Sequence, residues 1–145
     1  MHIDLGRRGD YAIRAALMLA RRHGEGRVKS REIADAMDIP APYVPHVLGA
    51  LVRAGLVHST AGPRGGYELA LPPEEVSVLA LVEAAEGNIR ARICPLRGGP
   101  CYWEDACALH DDWAAAQDAF LDRLAATDLR SLSDRDATLE GQPAI

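Results

Sequence analysis

Residues 30–71, SREIADAMDIPAPYVPHVLGALVRAGLVHSTAGPRGGYELAL, constrain the fold more than any other stretch of the chain. Ser30 is placed to cap a short helix, REIADAM, which Asp38–Pro40 closes. A further helix begins near Pro42 and runs to Gly55. Pro45 stands in its first turn, where a missing N–H costs little. Two short apolar runs, LVHST and YELAL, then flank AGPRGG, the pattern of a β-hairpin with a glycine-rich tip. Upstream, Tyr11, Ile13, Leu17, Met18 and Leu19 are closely spaced among many alanines, and Gly24 follows His23. That predicts a helix over 11–23.

Helix, helix, helix, hairpin is the order of a winged helix-turn-helix. Such a unit lays the second helix of its tight pair in the DNA major groove, with the early exposed positions against base edges. Here those positions are Ala41, Tyr43, His46 and, further along, Gly49. Lys29, Ser30 and Arg31 open the preceding helix, where the helix N-terminus also favours phosphate, and Arg64 marks the wing tip. Charge supports a polyanionic partner. The net charge of −5 is divided unevenly. Residues 1–70 hold ten Arg and Lys against seven Asp and Glu, a net +3; residues 71–145 hold six against fourteen, a net −8. Double-stranded DNA is the expected partner of the first half.

Downstream, PPEEVSVLALVEAAEG predicts a helix started by prolines and ended at Gly87. Trp113, Gln117, Phe120, Leu121 and Leu124 fall on one face of a later helix. TDLRSL forms at most one further turn, and the chain from Ser133 reads as a polar tail. The fold class is mainly α with one small β-hairpin. No run approaches the roughly 20 apolar residues of a membrane span. The opening MHIDLGRRGD lacks a long apolar segment, so a cytoplasmic location with no membrane partner is expected. Ser–His–Asp order, a phosphate-binding glycine loop and paired carboxylates are all missing, so an enzyme is not expected.

All three cysteines, Cys94, Cys101 and Cys107, fall in ICPLRGGPCYWEDACALH, with His110 three residues past the last. An odd number of thiols in a reducing compartment argues against a disulfide framework and for metal or redox chemistry. Three thiolates and one imidazole suit a tetrahedral zinc site or an iron–sulfur cluster. Zinc knuckles usually space their cysteines by two to four residues. Here the gaps are six and five, with Pro95, Gly98, Gly99 and Pro100 between, a turn-rich loop able to wrap something wider than one ion. A bare thiol switch is the third reading.

GDYAIRAALMLA, the SREIADAM…GPRGGYELA segment and the cysteine cluster together resemble the IscR/NsrR-type (Rrf-type) bacterial transcription regulators, from about Leu5 to about Leu132. The resemblance implies a homodimer on a pseudo-palindromic operator. Each protomer has an N-terminal winged helix and a C-terminal dimerisation helix. It divides the chain into a DNA-binding domain (1–72), a connecting helix and cysteine loop (73–110), a dimerisation helix (111–132) and a tail (133–145). It makes Trp113, Phe120, Leu121 and Leu124 the dimer seam, and Cys94, Cys101 and Cys107 the thiolates of an iron–sulfur cluster. CALH is similar to the Cys-x-x-His of the IscR branch, which implies His110 as fourth ligand and a [2Fe–2S] cluster. The NsrR-like branch instead implies Asp10 of the other subunit and a [4Fe–4S] cluster, although Asp10 also suits a plain helix N-cap. The chain departs from its relatives in two respects. Six residues, where five are commoner, separate the first two cysteines. Pro45 and Ala61 replace side chains that often touch DNA, so no relative's operator sequence transfers.

Overall fold

The computed structural model describes residues 4–137. Six helices and one hairpin follow in the order α1 (Arg7–Arg21), α2 (Ser30–Met37), α3 (Tyr43–Arg53), β1 (Val57–Thr60), β2 (Gly66–Leu69), a 3₁₀ turn at Pro73–Glu75, α4 (Val78–Glu86), α5 (His110–Ala126) and α6 (Leu129–Ala137). The winged helix-turn-helix read from the sequence is present, with the fold class as expected.

α1 is the centre of the core. Its alanines at 12, 15 and 16 are fully buried, and these small side chains let α4, α3 and α2 approach its backbone closely. Ile33, Val44, Leu48, Leu51 and Leu81 fill the spaces between these helices. α2 ends in a left-handed residue, Asp38 at φ 51°, a conformation that a short polar side chain tolerates. That residue makes the tight turn into α3. The hairpin pairs Val57 with Leu69 and Thr60 with Gly66. Its tip requires glycine at 65, where a Cβ would stand 2.0 Å from the Thr60 carbonyl oxygen. Val28 adds a single rung to β2, exchanging both backbone hydrogen bonds with Tyr67 at 2.8 Å.

Several local expectations change. α1 starts at Arg7, four residues before Tyr11, so Asp10 is not an N-cap; its own N–H bonds the Gly6 carbonyl at 3.1 Å, inside the first turn. Ser30 is likewise the first helical residue of α2, and Lys29 holds the cap position without a side-chain cap bond. The helix expected across 72–87 is broken at Ser77, whose hydroxyl caps α4 by accepting from the Ala80 N–H at 3.0 Å.

The largest change is at the C-terminal end. The dimerisation helix expected to run over 111–132 stops at Ala126, and after Thr127 the chain turns back as α6. Residues 133–137 are helix, not tail, and Ser133 is buried. Leu129 is buried at 0% exposure, α6 packs on α1 and on the 3₁₀ turn, and Arg21 pairs with Asp136. The remainder of the expected tail, 138–145, lies outside the described residues. α5 therefore packs against α4, and the chain after it returns to α1 as α6. The C-terminal end of α5 is held where the Val78 N–H donates to the Thr127 carbonyl at 2.9 Å and the Leu129 N–H to the Val76 carbonyl at 2.8 Å.

Candidate nucleic-acid interface and cysteine centre

α3 buries Val44, Val47, Leu48 and Leu51, which turns Pro42, Pro45, His46 and Arg53 outward with Gly49 half-exposed between them. Ala41 and Tyr43 are exposed at its start, and the Tyr43 ring leans on Tyr11 at 5.6 Å between centroids. Arg31 and Arg64 are exposed on α2 and at the wing tip. Ser30 is half-buried.

Lys29 behaves differently from its neighbours. Its ammonium donates to the Pro63 carbonyl at 2.6 Å and the Gly62 carbonyl at 3.5 Å, tying the start of α2 to the wing tip. Its first role is therefore to orient the wing that carries Arg64. Arg53 and Arg8 were missed by the sequence reading. Arg53 repeats the outward direction of His46 two turns later, a signal open to inspection. Arg8 sits on α1 and meets His46 and Arg53 only through folding, around one crevice.

The second site lies at the other end of the chain. Cys94, Cys101 and Cys107 are each half-buried, and His110 is the first residue of α5. All four line one concavity, together with Leu96, Leu109 and Trp113. The loop is shaped by Gly98 and Gly99, both left-handed at φ 70° and 73°, which allow the Cys94 N–H to reach the Gly99 carbonyl at 2.8 Å. Cys107 is positioned by its N–H on the Trp103 carbonyl at 2.9 Å, and His110 by its N–H on the Cys107 carbonyl at 3.1 Å. Two ion pairs anchor the loop: Arg90 to Glu83 of α4, and Arg92 to both oxygens of Asp118 on α5. Backbone N–H groups of Leu96 and Arg97, then the Arg97 charge and the Cys101 thiol, hold the Cys94 thiol below its ordinary range. Arg97 is itself stacked 3.8 Å over the Trp103 ring.

The donor set suits an iron–sulfur group in its chemistry: three soft sulfurs and one imidazole border a single space. Among the described residues, no three His, Cys, Asp or Glu side chains converge closely enough to hold a single metal ion. Asp10 lies elsewhere in its own chain, paired with Arg14 at 2.9 Å and beside Arg7 and Tyr11.

Residues 5–135 match the family described as Rrf2: Iron-dependent Transcriptional regulator. The chain belongs to this family. An HTH-type transcriptional regulator of Neisseria meningitidis is 31% identical over 138 residues, 95% of this chain and 93% of its own length. Among solved structures, CymR, named the global cysteine regulator of B. subtilis, is 26% identical with a TM-score of 0.79, covering 92% of this chain and 98% of its own. IscR of T. potens is 25% identical with a TM-score of 0.72, covering 100% and 95%. Rrf2 membership makes the protein a DNA-binding transcriptional regulator and not an enzyme, in line with the sequence reading. Among the described residues, no helix is long and apolar enough to cross a membrane.

α5 carries the residues expected from the sequence to form a seam between protomers. None of its residues is buried. Phe120 is 42% exposed, Leu121 and Leu124 are half-buried, and Trp113 is shared with the cysteine concavity.

Proposed function

We propose that this Rrf2 regulator is a cytoplasmic homodimer that binds a pseudo-palindromic operator under the control of an iron–sulfur cluster on Cys94, Cys101, Cys107 and His110, a [2Fe–2S] cluster in this assignment. One observation carries the reading: all four donors border one space at the N-terminus of a helix with no fully buried residue in its own protomer. His110 is preferred to Asp10 because it shares the concavity with the thiols, whereas Asp10 is engaged by Arg14. When bound, such a cluster supplies a redox-active group that is also lost to oxidation, nitric oxide or iron shortage.

The chain's own part is mechanical. Arg90 and Arg92 fasten the loop to α4 and α5, while the opposite end of α5 is fastened to the winged domain at Thr127 and Leu129. Ordering the loop therefore fixes the angle between α5 and the reading head. Across a dimer formed through Trp113, Phe120, Leu121 and Leu124, that angle sets the distance between two α3 helices. Two such helices must meet grooves about one turn, ~34 Å, apart. Ala41 and Tyr43 then face the groove, with Ser30, Arg31 and Arg64 toward the phosphates, Lys29 bracing the wing and His46 on the same outward face of α3.

A thiol switch is the second reading, favoured by Cys94 and Cys101 bordering the same space as free, half-buried thiols. Operator titrations separate the two. A duplex selected by the anaerobically purified protein is titrated with wild type, Cys94→Ala and Cys107→Ala. Cluster control predicts that both substitutions shift operator affinity at least tenfold, with random-duplex affinity unchanged. A Cys94 effect without a Cys107 effect favours the dithiol, and no effect from either refutes control through this site.

A further inference from the structure

Arg8 of α1 and Arg53 of α3 face each other across a crevice that also holds His46; Val47, Ala50, Ala84 and Ala85 form its walls. Both arginines are exposed, and neither has an ion-pair partner among the described residues. Glu86, which follows the wall residue Ala85 at the end of α4, is directed at the Gly9 N–H of α1, 2.9 Å away. Two guanidiniums over small apolar walls, with no carboxylate turned between them, repel each other and favour an anion in the gap.

The identity of that anion follows from where the crevice opens. His46 and Arg53 stand on the outward face of α3, two turns apart, with Gly49 between them. The Arg53 guanidinium lies over Gly49, 3.4 Å from where a Cβ would stand, so the glycine lets this charge rest close against the middle of the face. His46 points at the same crevice, which sets it apart from Tyr43, whose ring lies against Tyr11. We infer that Arg8, Arg53 and His46 form a binding site for one phosphate of the DNA backbone, flanking the groove that α3 enters, and that His46 contacts backbone instead of reading a base. The inference rests on α3 being the groove-entering helix. It adds an α1 contact, Arg8, that links the N-terminal helix directly to the duplex.

Salt dependence counts neutralised phosphates, at about 0.9 in slope for each. Operator and random-sequence duplexes are titrated across a salt series with wild type, the double variant Arg8→Ala/Arg53→Ala, its Arg8→Lys/Arg53→Lys counterpart, His46→Ala and Arg64→Ala. The double alanine variant is expected to flatten the slope by about one unit, and the lysine pair to restore it. His46→Ala is expected to weaken both duplexes by the same factor. An unchanged slope in the double alanine variant overturns the site. If Arg64→Ala still flattens the slope, the interface stands and only this crevice is excluded; if it too has no effect, the winged-helix face assigned to DNA falls with it. Loss confined to the operator in His46→Ala returns that residue to base readout and overturns its place here.

Discussion

Replacing Glu86 with alanine removes a helix cap that comes from 77 residues away in sequence. α1 opens after Gly6, which has no side chain to satisfy the unpaired N–H groups of the first turn. The Glu86 carboxylate does so instead, accepting from the Gly9 N–H at 2.9 Å. The two glycines make room for it: a Cβ at Gly6 would lie 2.5 Å from a Glu86 carboxylate oxygen, and one at Gly9 2.8 Å. A lost cap bond costs about 1 kcal/mol, and a carboxylate at the positive end of a helix contributes roughly a further 0.3–1 kcal/mol. Glu86→Ala is therefore expected to cost about 1–2 kcal/mol, a fall of roughly 4–7 °C in Tm for a chain of this size. Glu86→Gln keeps an oxygen acceptor and loses the charge, so it should give up only part of this. The assay is thermal and urea unfolding followed by circular dichroism, at one fixed protein concentration because the proposed dimer would couple to stability. Glu86→Ala indistinguishable from wild type would refute the reasoning. So would Glu86→Gln proving as damaging as alanine, since the oxygen acceptor would then contribute nothing.

Further outcomes follow from other contacts. Asp128 opens α6, accepting from the Ser131 N–H at 2.9 Å, and that bond holds its carboxyl below the ordinary range. A depressed folded-state value places its contribution above the unfolded value of about 3.9, lost as pH falls through the lower folded value. Asp128→Ala should accordingly lower Tm at pH 7, and the gap from wild type should close in strong acid; a gap of equal size at pH 2 would contradict it. Phe120→Asp places two carboxylates at a symmetric seam and should weaken dimerisation by about 10–100-fold in sedimentation equilibrium, given about 1.5–3 kcal/mol for a buried Phe. An unchanged dimer constant would move the seam elsewhere. His110→Ala should lose or shift the cluster spectrum while Asp10→Ala retains it; the reverse pattern would assign the fourth ligand to the partner's α1.

The winged half was legible because its signals are local. Val44, Val47, Leu48 and Leu51 recur at helical spacing, and AGPRGG allows little but a turn. The gathering of Cys94, Cys101, Cys107 and His110 around one concavity was legible for the same reason, since all four lie within one stretch of seventeen residues. What escaped depends on partners distant in sequence. LRSLSDRDA reads as a polar end, yet Leu129 and Ser133 are buried by α1 and the 3₁₀ turn. Nothing near Gly6 reveals that Glu86 caps α1. Lys29 reads as a free cation until the wing folds its carbonyls over it. Arg8 gains its meaning only when α1 lies beside α3.

We propose above all that Cys94, Cys101, Cys107 and His110 hold an iron–sulfur cluster. The visible absorption spectrum of the anaerobically purified protein, read with its iron and acid-labile sulfide content, tests it most directly. Ligation by these residues predicts a coloured protein with sulfide-to-iron charge-transfer bands and two iron and two sulfide per protomer, lost in Cys94→Ala, Cys101→Ala and Cys107→Ala. A colourless protein that still binds its operator, carrying zinc or no metal, would contradict it.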